Sequence, residues 1–365
     1  MRVLIATGMY PPDIGGPATY SELLFRELPR YGHEASVVSF GEVRALPKIF
    51  RHAAYFFKLL SRARGKDMIF AQDPVSVGLP AMCAAKLLCK KFAVKIVGDY
   101  AWEQGVQRFG VKDSLDEFVF GKKKYGLRVA LFKFVQKTVA RAARAIVVPS
   151  AYLKSVVASW GVDEKKIRVI YNAFSPHRIS INDAGAAPHP VVVSVGRLVP
   201  WKGFDTLIAV FPRIREHVPD AVLHIIGEGP DRERLARLIA DKNLEECVVL
   251  KGKMNHADLL KHVARARVFA LNTSYEGFSH QILEAMSVGT PVVTTRAGGN
   301  PELVEDGKEG FLVPYDSGAE LVSKITEVLR GGKKVEEMKK AAKEKSLKFT
   351  KERMLRELSG LMSRI

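Results

Sequence analysis

Short apolar runs alternate with amphipathic stretches along nearly the whole chain. In the first half, residues 3–6, 35–39, 68–71, 93–97 and 145–148 are mainly apolar runs of strand length. Helix-spaced patterns lie between them, for instance over 19–31 and 78–89. Apolar runs without polar alternation are what strands buried on both faces require, and their regular exchange with helices predicts a parallel sheet wrapped in helices. Residues 173–190 break the pattern: Ala173-Phe174-Ser175-Pro176 and the small, polar, proline-containing stretch 182–190 read as a linker. The alternation then restarts, with strands expected at 191–195, 221–226, 248–250, 268–271 and 291–294. Helices are expected between them, for example over 205–217 and 231–241. After Gly318 the chain becomes helical and highly charged. The pattern predicts an α/β fold of two tandem Rossmann-like, doubly wound domains facing each other across a cleft. The first covers 1–175, the linker 176–190 and the second domain 191–345. A further helix is expected over 346–365. In such sheets ligands bind beyond the carboxyl ends of the strands, so the loops there are where chemistry is sought.

The length of 365 residues agrees with two domains, and 47% hydrophobic residues are enough for two cores. Cys83, Cys89 and Cys247 form neither a metal-ligand spacing nor an even disulfide set. With no apolar leader behind a basic start and no run of the ~20 apolar residues a membrane span needs, a cytoplasmic location is expected. The net charge of +18 points to anionic partners. It is uneven: from Gly121 to Trp160 the chain carries Lys122, Lys123, Lys124, Arg128, Lys133, Lys137, Arg141, Arg144 and Lys154 and no acid. Leu127, Leu131, Phe134, Val135 and Thr138 fall on one helical face and the cations from Lys133 to Arg144 on the next. This makes segment 121–145 a candidate for peripheral contact with an anionic membrane, the inner face of the cell membrane being the expected one. Each cation near such a surface contributes about 1 kcal/mol. A core-packed helix with a solvated basic edge has the same pattern.

The sharpest chemistry lies in Glu276-Gly277-Phe278-Ser279-His280-Gln281-Ile282-Leu283-Glu284. An apolar run precedes it, and a helix closed by Gly289 and Pro291 follows. Glu276 is therefore expected on a strand-to-helix loop beside the free N–H groups of a helix start, a setting that suits phosphate. Glu284 is expected one turn into the helix, where it can accept from sugar hydroxyls. Alone, two glutamates are more often solvated charges. Other loops add to them. Gly196-Arg197 and Lys202-Gly203 leave a strand end together, and their two cations match a diphosphate. Gly15-Gly16 follows the first strand and opens a helix. The glycine loop at Gly227 and the strand exit ending in Met254 can line a nucleobase slot through backbone groups, or be plain turns. Gly98-Asp99-Tyr100-Ala101-Trp102-Glu103 gathers aromatics and carboxylates as sugar recognition does, or sets a core tryptophan beside two acids. There is no metal-binding, phosphate-loop or serine-elbow motif.

Taken in order, these residues, with Gly298-Gly299-Asn300-Pro301-Glu302, Asp306-Gly307 and Gly310-Phe311-Leu312-Val313, resemble the retaining glycosyltransferases of family four (glycosyltransferase group 1), of GT-B architecture, from end to end. The resemblance implies a metal-independent transfer, without cofactor, of a sugar from a UDP- or GDP-linked donor to a glycan or lipid-linked acceptor. Arg197 and Lys202 would hold the diphosphate, and Glu276 the reacting face of the sugar. Gly277, Phe278, Ser279 and His280 would offer N–H groups, and Glu284 would bind the ribose. Gly15 and Gly16 would close on the phosphates, and the C-terminal helix over 346–365 would cross back to the first domain. The pattern departs from the family at two places. Many members have a histidine where this chain has Asp99, which becomes a catalytic candidate with Tyr100, Trp102 and Glu103 as acceptor-binding neighbours. The turn Asn172-Ala173 stands where Asn-Gly is usual. A nucleotide-sugar epimerase on a similar scaffold is the alternative enzyme, and the ordered Arg197, Lys202, Glu276 and Glu284 set speaks against it. A nucleic-acid protein is implied by charge alone and lacks any such module.

Overall fold

The computed structural model describes residues 1–13, 15–173 and 189–365, and these form two compact units. The first comprises Met1–Tyr171 and Lys351–Ile365. Its six strands are β1 (Arg2–Thr7), β2 (Glu34–Ser39), β3 (Met68–Ala71), β4 (Lys91–Lys95), β5 (Ala145–Val148) and β6 (Ile167–Val169). They lie in the order β2-β1-β3-β4-β5-β6. Every pairing is parallel, with Val3 opposite both Ala35 and Met68. The helices are α1 (Gly16–Glu27), α2 (Lys48–Ala63), α3 (Gly78–Leu87), α4 (Tyr100–Arg108), α5 (Leu115–Phe120), α6 (Leu127–Ala142) and α7 (Ala151–Ala158). Strands β3 and β5 are buried throughout, as their unbroken apolar sequence requires.

The second unit, Asn172–Thr350, repeats the architecture with β7 (Val191–Val195), β8 (Val222–Ile226), β9 (Val248–Gly252), β10 (Val268–Leu271), β11 (Val292–Thr295) and β12 (Gly310–Val313). Its helices are α8 (Phe204–His217), α9 (Arg232–Asp241), α10 (His256–Arg265), α11 (His280–Ser287), α12 (Asn300–Leu303), α13 (Gly318–Arg330) and α14 (Lys333–Ser346). The order is β12-β11-β10-β7-β8-β9, again all parallel. Val192, Leu223 and Val268 of the sheet pack with Ile208, Phe211 and Ile325 of the helices in one core. Each such side chain stabilises by about 1.5–3 kcal/mol. The linker expected at 176–190 lies outside the described residues except for His189 and Pro190, which lead into β7.

The last helix, α15 (Lys351–Arg364), belongs to the first unit and buries Met354, Leu355, Leu358 and Met362 there. Its Ser359 hydroxyl lies 2.9 Å from Nε2 of His33.

Both sheets contain a point where the strand order reverses, between β1 and β3 in the first unit and between β7 and β10 in the second. The crevice beyond the carboxyl ends of the strands at such a point is where open α/β sheets bind ligands.

Candidate active site

In the second unit the reversal point is formed by the loops leaving β7 and β10. The β7 loop runs through Gly196 and Arg197 and makes one 3-10 turn, Pro200–Lys202. It ends at Gly203, whose left-handed backbone (φ 57°) opens α8. A Cβ on Gly203 would lie 1.9 Å from the carbonyl oxygen of Asn272, so only glycine lets the two loops touch. The loops are then tied: the Ser274 amide donates to the Trp201 carbonyl (2.8 Å), and the Thr273 hydroxyl donates to the same oxygen (2.9 Å). This contact brings Lys202 against Glu276, with Nζ bonded to Oε1 and each side chain about nine-tenths buried. Breaking such a pair by removing one partner strands the other charge in a poorly solvated place.

The backbone of Glu276 is held from the β11 side. Gly298 is left-handed (φ 57°), a Cβ there would come within 2.0 Å of the Glu276 carbonyl oxygen, and the Gly299 amide donates to that oxygen (2.8 Å). Buried Asn300 donates to the Thr295 carbonyl (3.1 Å), and the Thr295 hydroxyl donates to the Thr273 carbonyl (2.5 Å). The Gly298-Gly299-Asn300 motif thus clamps the β10 loop and sets the position of Glu276.

Ser279 caps α11 by accepting from the Ile282 amide. The Phe278 ring is buried against Phe349 (centroids 5.4 Å apart). What Gly277 to His280 offer a ligand is therefore backbone N–H at a helix start, with the partly exposed His280 at its first position. Glu284 accepts from His256 Nε2 (2.8 Å) at the start of α10. Sequence reasoning missed His256. Its local signal is the cap Asn255, which accepts from the Asp258 amide (3.0 Å) and so fixes where α10 begins. The contact itself joins residues far apart in the chain.

The bond to Glu284, opposed by burial, raises His256 above the ordinary histidine value. A folded-state pKa above the unfolded one gives stability that is complete below the unfolded pKa and is lost as pH rises through the folded one. Wild type is therefore expected to lose its stability advantage over His256→Ala as pH rises through that range. Urea midpoints of both proteins from about pH 5.5 to about 8.5 read this directly, and a pH-independent difference would contradict it.

The remaining loops of this unit pack on the β7 exit. Gly227 (φ 147°) donates its amide to the Gly252 carbonyl (2.9 Å), and a Cβ on it would meet the Gly196 carbonyl oxygen at 1.9 Å. Gly227 is thus required by close backbone approach. Met254 is partly exposed just beyond β9, and Arg197 is exposed.

In the first unit Gly15 caps α1 and Gly16 begins it, at the exit of β1. The segment expected as a loop from Gly98 to Glu103 is instead a helix start. Asp99 is the N-cap of α4, and Tyr100, Trp102 and Glu103 lie in its first turn. Asp99 is fully buried; its Oδ1 accepts from the Trp102 amide (2.9 Å) and its Oδ2 from Gln136 Nε2 (2.9 Å). Burial pushes its carboxyl above the usual range, against those donors and Lys133, which pull it down. The Trp102 indole is buried and donates to the Asp113 carbonyl (2.9 Å). These two depart from the expected placement, because capping and core packing use the groups that were to meet an acceptor. Tyr100, half-buried edge-to-face on Phe132, and Glu103 remain partly exposed. Among the described residues no cluster of three or more His, Cys, Asp or Glu is arranged to hold a metal.

Comparison with known proteins agrees with this geometry. Residues 14–178 match the family model described as Glycosyltransferase Family 4, and residues 181–345 the one described as Glycosyl transferases group 1. The chain is 43% identical over 136 residues to a GDP-mannose-dependent alpha-(1-6)-phosphatidylinositol monomannoside mannosyltransferase of Mycolicibacterium smegmatis, covering 35% of this chain and 36% of that one. The match thus spans about a third of that relative's length. It is 31% identical over 209 residues to a Campylobacter jejuni N-acetylgalactosaminyltransferase whose named substrate is a diphospho-undecaprenol, covering 56% of each chain. The fold matches that of Anabaena HepE in complex with UDP-glucose over all of both chains, with a TM-score of 0.79 at 20% identity. Two successive family models, two six-stranded parallel sheets and the Lys202–Glu276 pair at a switch point lead to one statement: the chain belongs to the group 1 glycosyltransferases of GT-B architecture.

Proposed function

We propose that this protein transfers a sugar, with retention of configuration, from a UDP- or GDP-linked donor to a glycan or lipid-linked acceptor. The observation that carries the reading is the Lys202–Glu276 pair, held at the strand-order reversal of the second unit beside the start of α11. Lys202, the exposed Arg197 and the N–H groups from Gly277 to His280 neutralise the diphosphate, in the way fixed cations and oriented N–H groups stabilise a leaving group. Glu276 faces the sugar hydroxyls. Glu284, oriented by His256, takes the ribose, and the loops at Gly227 and Met254 take the base. An acceptor oxygen bonds to the anomeric carbon as the bond to the phosphate oxygen breaks, and the acceptor proton passes to the leaving phosphate. The diphosphate's charge is met by protein groups, so transfer is independent of added metal.

The GDP-mannose dependence in the name of the Mycolicibacterium relative, and the UDP-glucose bound in the HepE structure, support a nucleotide-sugar donor. A thermal-shift panel of nucleotides and nucleotide sugars tests the reading. A ligand at a hundred times its Kd stabilises by about 2.7 kcal/mol, so one base and one sugar are expected to stand out. Free nucleoside diphosphate should then accumulate only when an acceptor is added, and a chelator should leave the rate unchanged. No shift with any nucleoside diphosphate would remove the donor site.

The proposed site of action is the cytoplasmic face of the membrane. On α6, Val129, Gln136, Val139 and Ala140 are buried, whereas Leu127, Leu131 and Phe134 are exposed. An exposed apolar stripe flanked by cations supports peripheral contact with an anionic bilayer. Among the described residues no helix is long and apolar enough to cross one.

A further inference from the structure

At the start of α6 the first unit has a cavity of about 600 Å³, built from the segment that follows α4 and the turn that precedes α6. Lys112, Lys123, Lys124 and Arg128 line it. Lys123 is neutralised by Asp113 (2.8 Å), the one carboxylate of the lining. Among the described residues no carboxylate pairs with Lys112, Lys124 or Arg128, and all three are exposed. The wall is aromatic: the Arg128 guanidinium lies 5.7 Å from the Phe109 ring centroid. The first turn of the 16-residue α6 also opens onto the cavity at Leu127, Arg128 and Val129, with Gly126 as a cap that offers no side-chain acceptor. Its orphan N–H groups add to the positive field.

Two features together narrow the ligand. Unpaired cations around a helix start call for a phosphate. The exposed stripe begins at the same rim: Leu127 is 87% exposed and lines the cavity, and Leu131 and Phe134 continue from it along α6, 56% and 67% exposed. A soluble anion has no use for that stripe, whereas a lipid has both a phosphate and a tail to place. We propose that this cavity is a headgroup site for an anionic phospholipid, with Lys112, Lys124 and Arg128 on the phosphate and the Leu127, Leu131 and Phe134 stripe in the acyl region. The proposal rests on the membrane contact put forward above and gives that contact a site.

Sedimentation of the full chain with vesicles of phosphatidylcholine alone, or of phosphatidylcholine with phosphatidylglycerol, tests it. Wild type is expected to bind the anionic vesicles only. K124A/R128A should bind them about tenfold or more weakly, since each cation at such a surface is worth about 1 kcal/mol. K340A/K343A removes the same charge from exposed positions of α14 and should bind nearly as wild type. All these variants should melt with wild type, because the replaced side chains are exposed. Inorganic phosphate at the lipid's phosphorus concentration should not displace the vesicles. An equal loss in K340A/K343A would reduce the effect to diffuse charge, and displacement by inorganic phosphate would show that the phosphate alone is recognised, so that the joint headgroup-and-acyl site would fall. If L131Q/F134Q lost binding while K124A/R128A kept it, membrane contact would stand and the headgroup site would fall. If wild type bound neither vesicle, both would fall.

Discussion

Glu276→Gln is expected to lower the rate of transfer by about two to three decades, the usual cost of removing one group that meets charge developing in a transition state. Glutamine keeps the volume and can still accept from Lys202, so the melting temperature should stay close to wild type and nucleoside diphosphate should bind almost as before. Glu276→Ala is a harsher change. It should cost as much activity and also leave the Lys202 ammonium unpaired in a site where both side chains are about nine-tenths buried. Lys202→Ala differs in kind, since it removes a cation from the diphosphate, and its loss should appear first as weaker binding of the nucleoside diphosphate. Because the two side chains touch, the double variant should be far from the sum of the singles. Calorimetric titration with nucleoside diphosphate and initial-rate assays on these proteins separate the two roles. Near-normal turnover in Glu276→Gln would take Glu276 out of the chemistry.

Asp99→Ala is expected to destabilise the first unit by about 3 kcal/mol, combining the loss of an N-cap with buried donors left unsatisfied. The groups stranded are the Trp102 amide and Gln136 Nε2. In a domain of this size that is a fall in Tm of about 6–12 °C, read by scanning calorimetry. Asp99→Asn tells structure from chemistry. Asparagine caps a helix as well as aspartate does, but it presents one amide nitrogen where aspartate had an acceptor. Gln136 cannot turn to accommodate it without giving up the bond it accepts from the Ala101 amide (3.0 Å). A cost of about 1 kcal/mol with transfer largely retained is the outcome for a cap. Loss of transfer by more than about a hundredfold at near-native Tm would return Asp99 to the catalytic residues.

The two Asp99 readings show how far sequence reaches. Strands β3, β5 and β10 are legible to the residue because an unbroken apolar run buried on both faces has few other uses. The segment from Gly98 to Glu103 admits two readings, a sugar-recognition loop or a core tryptophan beside two acids, because its aromatics and carboxylates suit both. Only burial told them apart.

The site divides in the same way. Sequence alone determined that Glu276 precedes a helix start and that Glu284 follows within that helix, because these relations are local and set by helix periodicity; that Ser279 caps the helix came from the structure. Sequence also put Gly196 to Gly203 at a strand end. It did not determine that Lys202 reaches Glu276, that His256 holds Glu284, or that Gly298 and Gly299 grip the Glu276 backbone. Those contacts depend on β7 and β10 lying side by side, on α10 packing next to α11 and on glycines letting backbones approach within van der Waals range. Likewise the spacing of Leu127, Leu131 and Phe134 defined a face of α6, but periodicity carries no record of what covers a face. The tertiary structure decided that this one is left open, because burial is a property of the assembled layers and not of the helix.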